Sequence, residues 1–467
     1  MNPPAASGRV LPTLNEDGSR RWLRPKLSHG RFLIARRAIG WLLIVLFISL
    51  PLIRIGDKPS LLFDVIRREF TFFGTTFLPT DSFLLMLLML SIFLGIFWLT
   101  ALLGRVWCGW GCPQTVYMEF LFRPLERLIE GSPHRQRQID NSGFLHPRRI
   151  LKWLIFAIIA FGLANVFLAY FVGVDTLELW VLSAPTEHPG GFSVVLVVFA
   201  LVFIDFAFFR EQMCTVVCPY ARLQSVLLDG ESLIVGYDAL RGEARAKAKE
   251  RKAAPDTQHG DCIDCGLCVA TCPTGIDIRE GLQLECITCA QCIDACDHVM
   301  AKLGKPLGLI RYSAQKTLQT GLKSRILRPR VVIYPILIAI LLGALALTIN
   351  LKGSADITLL RAIATPFEEL PNDQIRNTFR VKIVDRTRKD ARHFTVSSPD
   401  LPHGALFVPQ NPVTVPAGQD VTLPLFVTLP RSAFVDGRKD ITLQIEAEDG
   451  FVTTQTFRLL GPKKETP

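Results

Sequence analysis

The stretch GDCIDCGLCVATCP at 260–273, followed by CITCAQCIDAC at 286–296, decides how this chain is read. Each holds three cysteines at i, i+3 and i+6 and a fourth four residues further on. This is the bacterial ligand run for [4Fe–4S] clusters, in which the fourth cysteine serves the other cluster. The expected sets are therefore crossed. Cys262, Cys265, Cys268 and Cys296 hold one cluster, and Cys286, Cys289, Cys292 and Cys272 hold the second. Gly266 and Gly275 offer the backbone freedom such tight loops need. Asp297, not Pro, follows Cys296, which leaves the ligand count intact but puts the local turn in question. Zinc or structural thiols would be the alternative, and two complete runs in tandem weigh against it. Two one-electron centres form a conductor, so electrons must enter and leave. There is no G-x-G-x-x-G, Walker A or C-x-x-C-H signature to suggest a nucleotide, flavin or attached haem. A separate electron donor, of unknown kind, is expected.

Around this module the chain is apolar. Of 467 residues 49% are hydrophobic and only 20% charged, which excludes a disordered or collagen-like chain. Five apolar stretches are expected to cross a membrane: Ala38–Ile53, Ser82–Leu103, Ile150–Val172, Gly191–Phe209 and Val331–Leu351. The first is short and contains Pro51, with Arg37 and Arg54 placed to snorkel at its ends. No cleaved signal peptide is expected, because a long polar segment precedes the first span.

The net charge of +10 is assigned to membrane topology, not to nucleic acid. Residues 1–37 hold eight Lys/Arg and the loop 105–149 seven, whereas 173–190 hold none. The positive-inside rule then places the N-terminus in the cytoplasm and residues 352–467 outside. Cysteine usage agrees: all twelve precede residue 297, and the exported part has none. The expected organisation is a basic N-terminus (1–37), four spans (38–230), a linker and cluster module (231–330), a fifth span (331–351) and an exported domain (352–467). The basic segment 241–260, with Arg245, Lys247, Lys249, Arg251 and Lys252, is expected on the surface, with anionic membrane lipid as its partner.

The other four cysteines form two matched pairs, Cys108-x-x-x-Cys112-Pro113 and Cys214-x-x-x-Cys218-Pro219, each following a span. Pro at a first helical position puts Cys112 and Cys218 at helix N-caps, where a thiol should ionise more easily. If the two ends meet, four soft thiolates can bind Cu(I) or a further cluster; a redox disulfide and simple packing are the alternatives. Asp205, inside the fourth span, is a functional candidate by default, or reaches the interface or a basic partner. Met213 beside Cys214 reads as packing, with a soft ligand as the alternative, and Met86 and Met89 on one helix face read as packing or lipid-facing. His259 and His298 read as ordinary loop residues.

After residue 351 the pattern alternates, as in 378–384, 421–427 and 441–445, with turn signals at 416–418 and 448–450. This predicts an immunoglobulin-like β-sandwich without a disulfide, suited to docking. His393 and His403 are isolated candidate copper ligands.

The motifs GRVWCGWGCPQT (104–115), CPYARLQS (218–225), CPTGIDIR (272–279), ECITC (285–289) and GLIRY (308–312) resemble the CcoG/FixG/RdxA family over nearly the whole chain. An Asp after the last cluster cysteine is part of that resemblance. It implies a bacterial inner-membrane protein with five transmembrane helices, a cytoplasmic bacterial-type 2[4Fe–4S] ferredoxin insert and an exported immunoglobulin-like end. It implies assistance in assembling the cbb(3)-type haem–copper oxidase, by reducing Cu(II) to Cu(I) alongside a copper-exporting P-type ATPase and other assembly factors. On that view copper ions are a partner and the clusters supply single electrons; our own reading adds Cys108, Cys112, Cys214 and Cys218 as the catalytic thiols that favour the Cu(I) product. The competing functions are a ferredoxin subunit of a quinol-oxidising chain and a non-catalytic assembly scaffold.

Overall fold

The computed structural model describes residues 12–462, apart from 16, 56–57, 66–68, 74, 78–81, 144, 254–258, 326, 352–353, 362–364, 366, 386–390 and 417–419. Two residues of the expected turn at 416–418 and part of the basic segment lie outside the described residues, as does the Lys252 side chain. The chain divides into two compact units, Met1–Ala346 and Leu347–Pro467.

Five helices of the described chain are long and apolar enough to cross a membrane. Four have nearly the expected ends: Ser82–Leu103, Pro147–Val172, Pro189–Ile204 extended by a π-helical turn at Asp205–Phe209, and Pro329–Leu351. The first differs. It runs Arg31–Ser49, seven residues ahead of the expected start, and ends before Pro51. The reason is a cap supplied from far along the sequence. The Asp294 carboxylate accepts the backbone N–H groups of Phe32 (3.2 Å) and Leu33 (2.8 Å), satisfying donors that open every helix. Arg36 and Arg37 thus lie within the helix, not at its edge.

The segment between the second and third spans is largely helical. It joins the end of the fourth span through a buried ion network. Arg210 forks onto Glu126 at 3.1 and 2.5 Å, and Lys152 reaches Glu126 (3.3 Å) and Glu130 (2.7 Å). Arg123 bridges Glu119 and Glu211. Every member is nearly inaccessible, so each charge depends on its partner. Burial alone would raise the Glu126 carboxyl, but Arg210 and Lys152 hold it at about 2.

The cluster module is closed by an antiparallel pair, Leu233–Tyr237 with Ile310–Ala314. Ile276, Ile278, Ile293, Met300, Leu309 and Ile310 form its core. Gly266 and Gly275 have the positive φ angles anticipated, 67° and 75°. Cys296 and Asp297 sit inside the helix Gln291–Lys302, where Pro would break the backbone ladder. The Asp297 carboxylate instead accepts the Gly308 N–H at 2.9 Å. His298 lies in the same helix, exposed, and is not a loop residue. Arg251 is not free for lipid: it donates to the carbonyls of Gly260 (2.6 Å) and Cys262 (2.8 Å), tying the basic segment to the first cluster loop.

The second unit contains two antiparallel sheets. Its long strands, Gln374–Asp385, Asp420–Pro430 and Arg438–Ala447, contain the three alternating segments. Phe379, Val381, Phe394, Leu425, Leu443 and Ile445, drawn from both sheets, are fully buried in one core.

Candidate metal centre and membrane-face thiols

The eight cysteines of the two runs fall into two adjoining cavities. Cys262, Cys265, Cys268 and Cys296 line one, together with Leu267, Met300 and Ile310. Cys272, Cys286, Cys289 and Cys292 line the other, with Val235, Ile276 and Ile278. Cys268 borders both. Among the described residues no carboxylate lines either cavity. Four thiols in an apolar chamber, twice over and in crossed order, fit a [4Fe–4S] cluster held by each set. Burial pushes the thiols of Cys268, Cys289 and Cys296 up to about 12 and that of Cys286 up to about 11. Loading iron must therefore displace protons. Among the described residues no three His, Cys, Asp or Glu side chains are grouped to hold a single metal ion, which removes the geometric basis for zinc.

The second cavity faces the membrane-side thiols. Cys108 packs with Cys289, Ile287 and Tyr220 in one small apolar cluster. Beside it the Gly109 backbone abuts the cluster loop: a Cβ there would lie 2.4 Å from the Ile287 carbonyl and 2.9 Å from the Cys289 N and Cα. Side chain and backbone of the first pair thus both touch the second ligand run. Trp110 Nε1 donates to the Tyr312 hydroxyl (3.0 Å), which donates to the Thr288 carbonyl (2.8 Å). Arg105 donates to the Leu284 carbonyl.

Both Cys-Pro pairs adopt the expected arrangement, with Cys112 and Cys218 capping helices Pro113–Tyr117 and Pro219–Leu227. Cys108 lies in the short helix Val106–Trp110 and Cys214 in a π-helical turn, Met213–Val217. The charges of Cys112, Cys108 and Cys218 reach Cys214, but among the described residues the four thiols are not grouped closely enough to hold a metal ion, so the expected copper set is not formed. The expectation of easy ionisation fails at Cys112. Burial raises its thiol despite the N–H groups of Thr115 and Gln114. Burial also raises Cys108 and pushes Cys214 up to about 12. All twelve cysteines are free thiols.

Gln224 organises the thiol face. Its Oε1 accepts the Cys108 thiol at 3.0 Å, and its Nε2 donates to Thr100 (3.1 Å) and Tyr220 (2.7 Å). Among the described residues Asp205 pairs with no basic side chain. It accepts Gln114 Nε2 at 3.1 Å, two residues beyond Cys112. Met86 and Met89 are exposed along the second span. His393 bonds Thr414 at 3.0 Å, and neither it nor His403 belongs to a three-ligand group among the described residues.

Sequence reasoning missed Gln224, Gln114, Arg36 and Asp294. Gln224 and Gln114 stand inside the quoted motifs, and Arg36 is a charge beside an apolar run, so each left a trace. The π-helical turns left none.

Comparison with known proteins agrees with this geometry. Residues 209–315 match the family model of a 4Fe-4S dicluster domain, 85–131 that of a 4Fe-4S binding domain, and 345–462 that of an IG-like fold at the C-terminus of FixG. Cys108 and Cys112 are the two cysteines of 85–131, so that stretch needs other chains of residues to complete a four-thiol set. Protein RdxA of Cereibacter sphaeroides is 35% identical over 79% of this chain and 80% of its own length. Nitrogen fixation protein FixG of Rhizobium meliloti is 32% identical over 91% and 90%. Protein RdxB of Cereibacter sphaeroides is 34% identical over 90% and 92%. With its paired cluster cavities, five apolar helices and matching C-terminal domain, the chain belongs to the FixG/RdxA family of membrane iron–sulfur electron-transfer proteins.

Proposed function

We propose that this protein passes single electrons from its two clusters to Cu(II), releasing Cu(I) for assembly of a cbb(3)-type oxidase. The observation that carries the proposal is the contact of Cys108 with Cys289. It joins the second ligand run to the first of the two Cys-Pro motifs, whose thiols are soft groups that favour Cu(I) over Cu(II). Copper is substrate here. Each cluster, when held by its four cysteines, would supply one electron to one Cu(II), so two clusters would serve two ions. The chain's own residues position the exit: Gln224 fixes the Cys108 thiol, and Gly109 lets the loops approach.

The charge bias supports a cytoplasmic N-terminus and cluster module and a periplasmic C-terminal domain, in a bacterial inner membrane. A copper-exporting P-type ATPase is the natural receiver of Cu(I), and the immunoglobulin-like domain is a docking element for assembly factors.

The test is anaerobic. Reduced protein, freed of reductant, receives Cu(II) and a Cu(I)-specific dye. Dye colour matched by recovery of the oxidised-cluster absorbance supports the proposal. Clusters that stay reduced beside Cu(II) sink it.

One observation favours exchange with a membrane quinol instead. An apolar cavity of about 630 Å³ lies between the first and third spans, and Trp107, Gly111 and Pro113 of the first thiol motif form part of its wall. Oxidation of quinol by the purified protein would support that alternative.

A further inference from the structure

Arg36 is fully buried in the first spanning helix, at 0% exposure. Its Nε donates to the Gly109 carbonyl at 2.8 Å, so the guanidinium stands where Gly109 meets Cys289. Both terminal nitrogens lack hydrogen-bond partners. Arg105, 3% exposed, donates to the Leu284 carbonyl, two residues before Cys286, and also interacts with the Cys108 side chain. Among the described residues no carboxylate lies within ion-pair distance of either arginine. The Arg36 guanidinium lies 5.5 Å from the Phe120 ring, and a buried cation without a carboxylate partner is further stabilised by nearby negative charge. A [4Fe–4S] core bound by four thiolates carries that charge. Glu119 contributes from further off, and it is already bridged to Arg123.

The other cavity is built differently. Its one lining cation, Arg279, is held by Asp277 at 2.6 Å and also by Asp264. Asp297 follows its ligand Cys296; besides the Gly308 N–H, its partner among the described residues is the exposed Arg31, at 3.8 Å. Both surroundings mix signs, but they differ in burial: Arg251, on the Cys262 carbonyl beside the first set, is partly exposed, whereas Arg36 and Arg105 beside the second are buried and their charge is screened less.

We propose that Arg36 and Arg105 raise the reduction potential of the cluster held by Cys272, Cys286, Cys289 and Cys292 above that of its neighbour. Positive charge favours the more reduced, more negative state. The proposal rests on the crossed ligand assignment. It gives the pair a direction: an electron entering the module settles on the centre in contact with Cys108, at the exit. Arg36 is a positioning residue that acts through the cluster's charge and touches no substrate.

The test is a redox titration of the full-length protein in lipid nanodiscs, without oxygen, followed by electron paramagnetic resonance. Dithionite supplies the electrons, one per cluster. Iron and sulfide contents first establish that two clusters are present; a lower content would sink the ligand assignment itself. The expected wild-type result is two separated one-electron steps, with Cys265→Ser moving the lower. Arg36→Gln should lower the upper step and leave the lower one in place. The expected shift is at least roughly tenfold in the sharing of the electron, about 59 mV for one electron. Arg36→Lys should keep the wild-type order. Asp264→Asn, at a partly exposed residue, should free Arg279 and raise the lower step. An iron-replete Arg36→Gln protein with an unmoved upper step would overturn the proposal. If that variant fails to load, an unmoved lower step in Asp264→Asn overturns it instead.

Discussion

Gly109 and Cys289 meet backbone to backbone, so closely that any side chain at position 109 would overlap the cluster loop. The contact couples the thiol face to the second ligand run. Gly109→Val should displace the 287–289 loop, disturbing the resonance signal of one cluster and leaving that of the other. Transfer to Cu(II) should slow roughly tenfold or more, since small misplacements near reacting groups are costly. Signals of both clusters unchanged in Gly109→Val would show that the contact has no functional weight.

Asp294 caps the first spanning helix from within the second cysteine run. Replacing it with Ala should cost about 1 kcal/mol, whereas Asn should cost much less, as both Asp and Asn are good caps. Heating the loaded protein and following loss of cluster absorbance measures this. Equal destabilisation by Ala and Asn would contradict the capping role.

Glu126 should give the helical unit an acid limb. Its carboxyl is depressed from 4.5 to about 2, so the folded state binds fewer protons than the unfolded state between those values. The associated stability is fully present above pH 4.5 and is lost as pH falls through about 2. In Glu126→Gln this portion of the pH profile should flatten, as read by helical circular dichroism of protein in detergent. The same variant leaves Arg210 buried with a neutral partner, so overall stability should fall by about 3–5 kcal/mol.

Much of this architecture was legible in the sequence because its signals are local. Cysteine spacing pointed to the residues that line the two cavities, and runs of apolar residues gave four span boundaries nearly to the residue. Alternation gave the long strands of the C-terminal domain. What stayed hidden is non-local. The start of the first span depends on Asp294, more than 260 residues away in sequence. Arg251 looked like a lipid-facing charge, yet it serves backbone carbonyls near Cys262. Cys112 had the helix N-terminus that lowers a thiol's pKa, but burial, set by packing, outweighs it. Asp205 found Gln114, and no spacing rule joins those two residues.

Gln224→Leu offers a further check on the thiol face. It removes the acceptor of the Cys108 thiol and leaves the clusters untouched. Iron content should stay at the wild-type level while copper reduction slows. Loss of iron from this variant would mean that Gln224 supports folding and not the thiol.

The central claim is that cluster electrons leave through the thiols of the two Cys-Pro motifs. The most direct measurement is the rate at which Cu(II) reoxidises the reduced clusters, in wild-type protein and in Cys112→Ser/Cys218→Ser protein with both clusters loaded. The account predicts roughly tenfold or slower reoxidation in the double variant, with unchanged iron content. Reoxidation at the wild-type rate would contradict it.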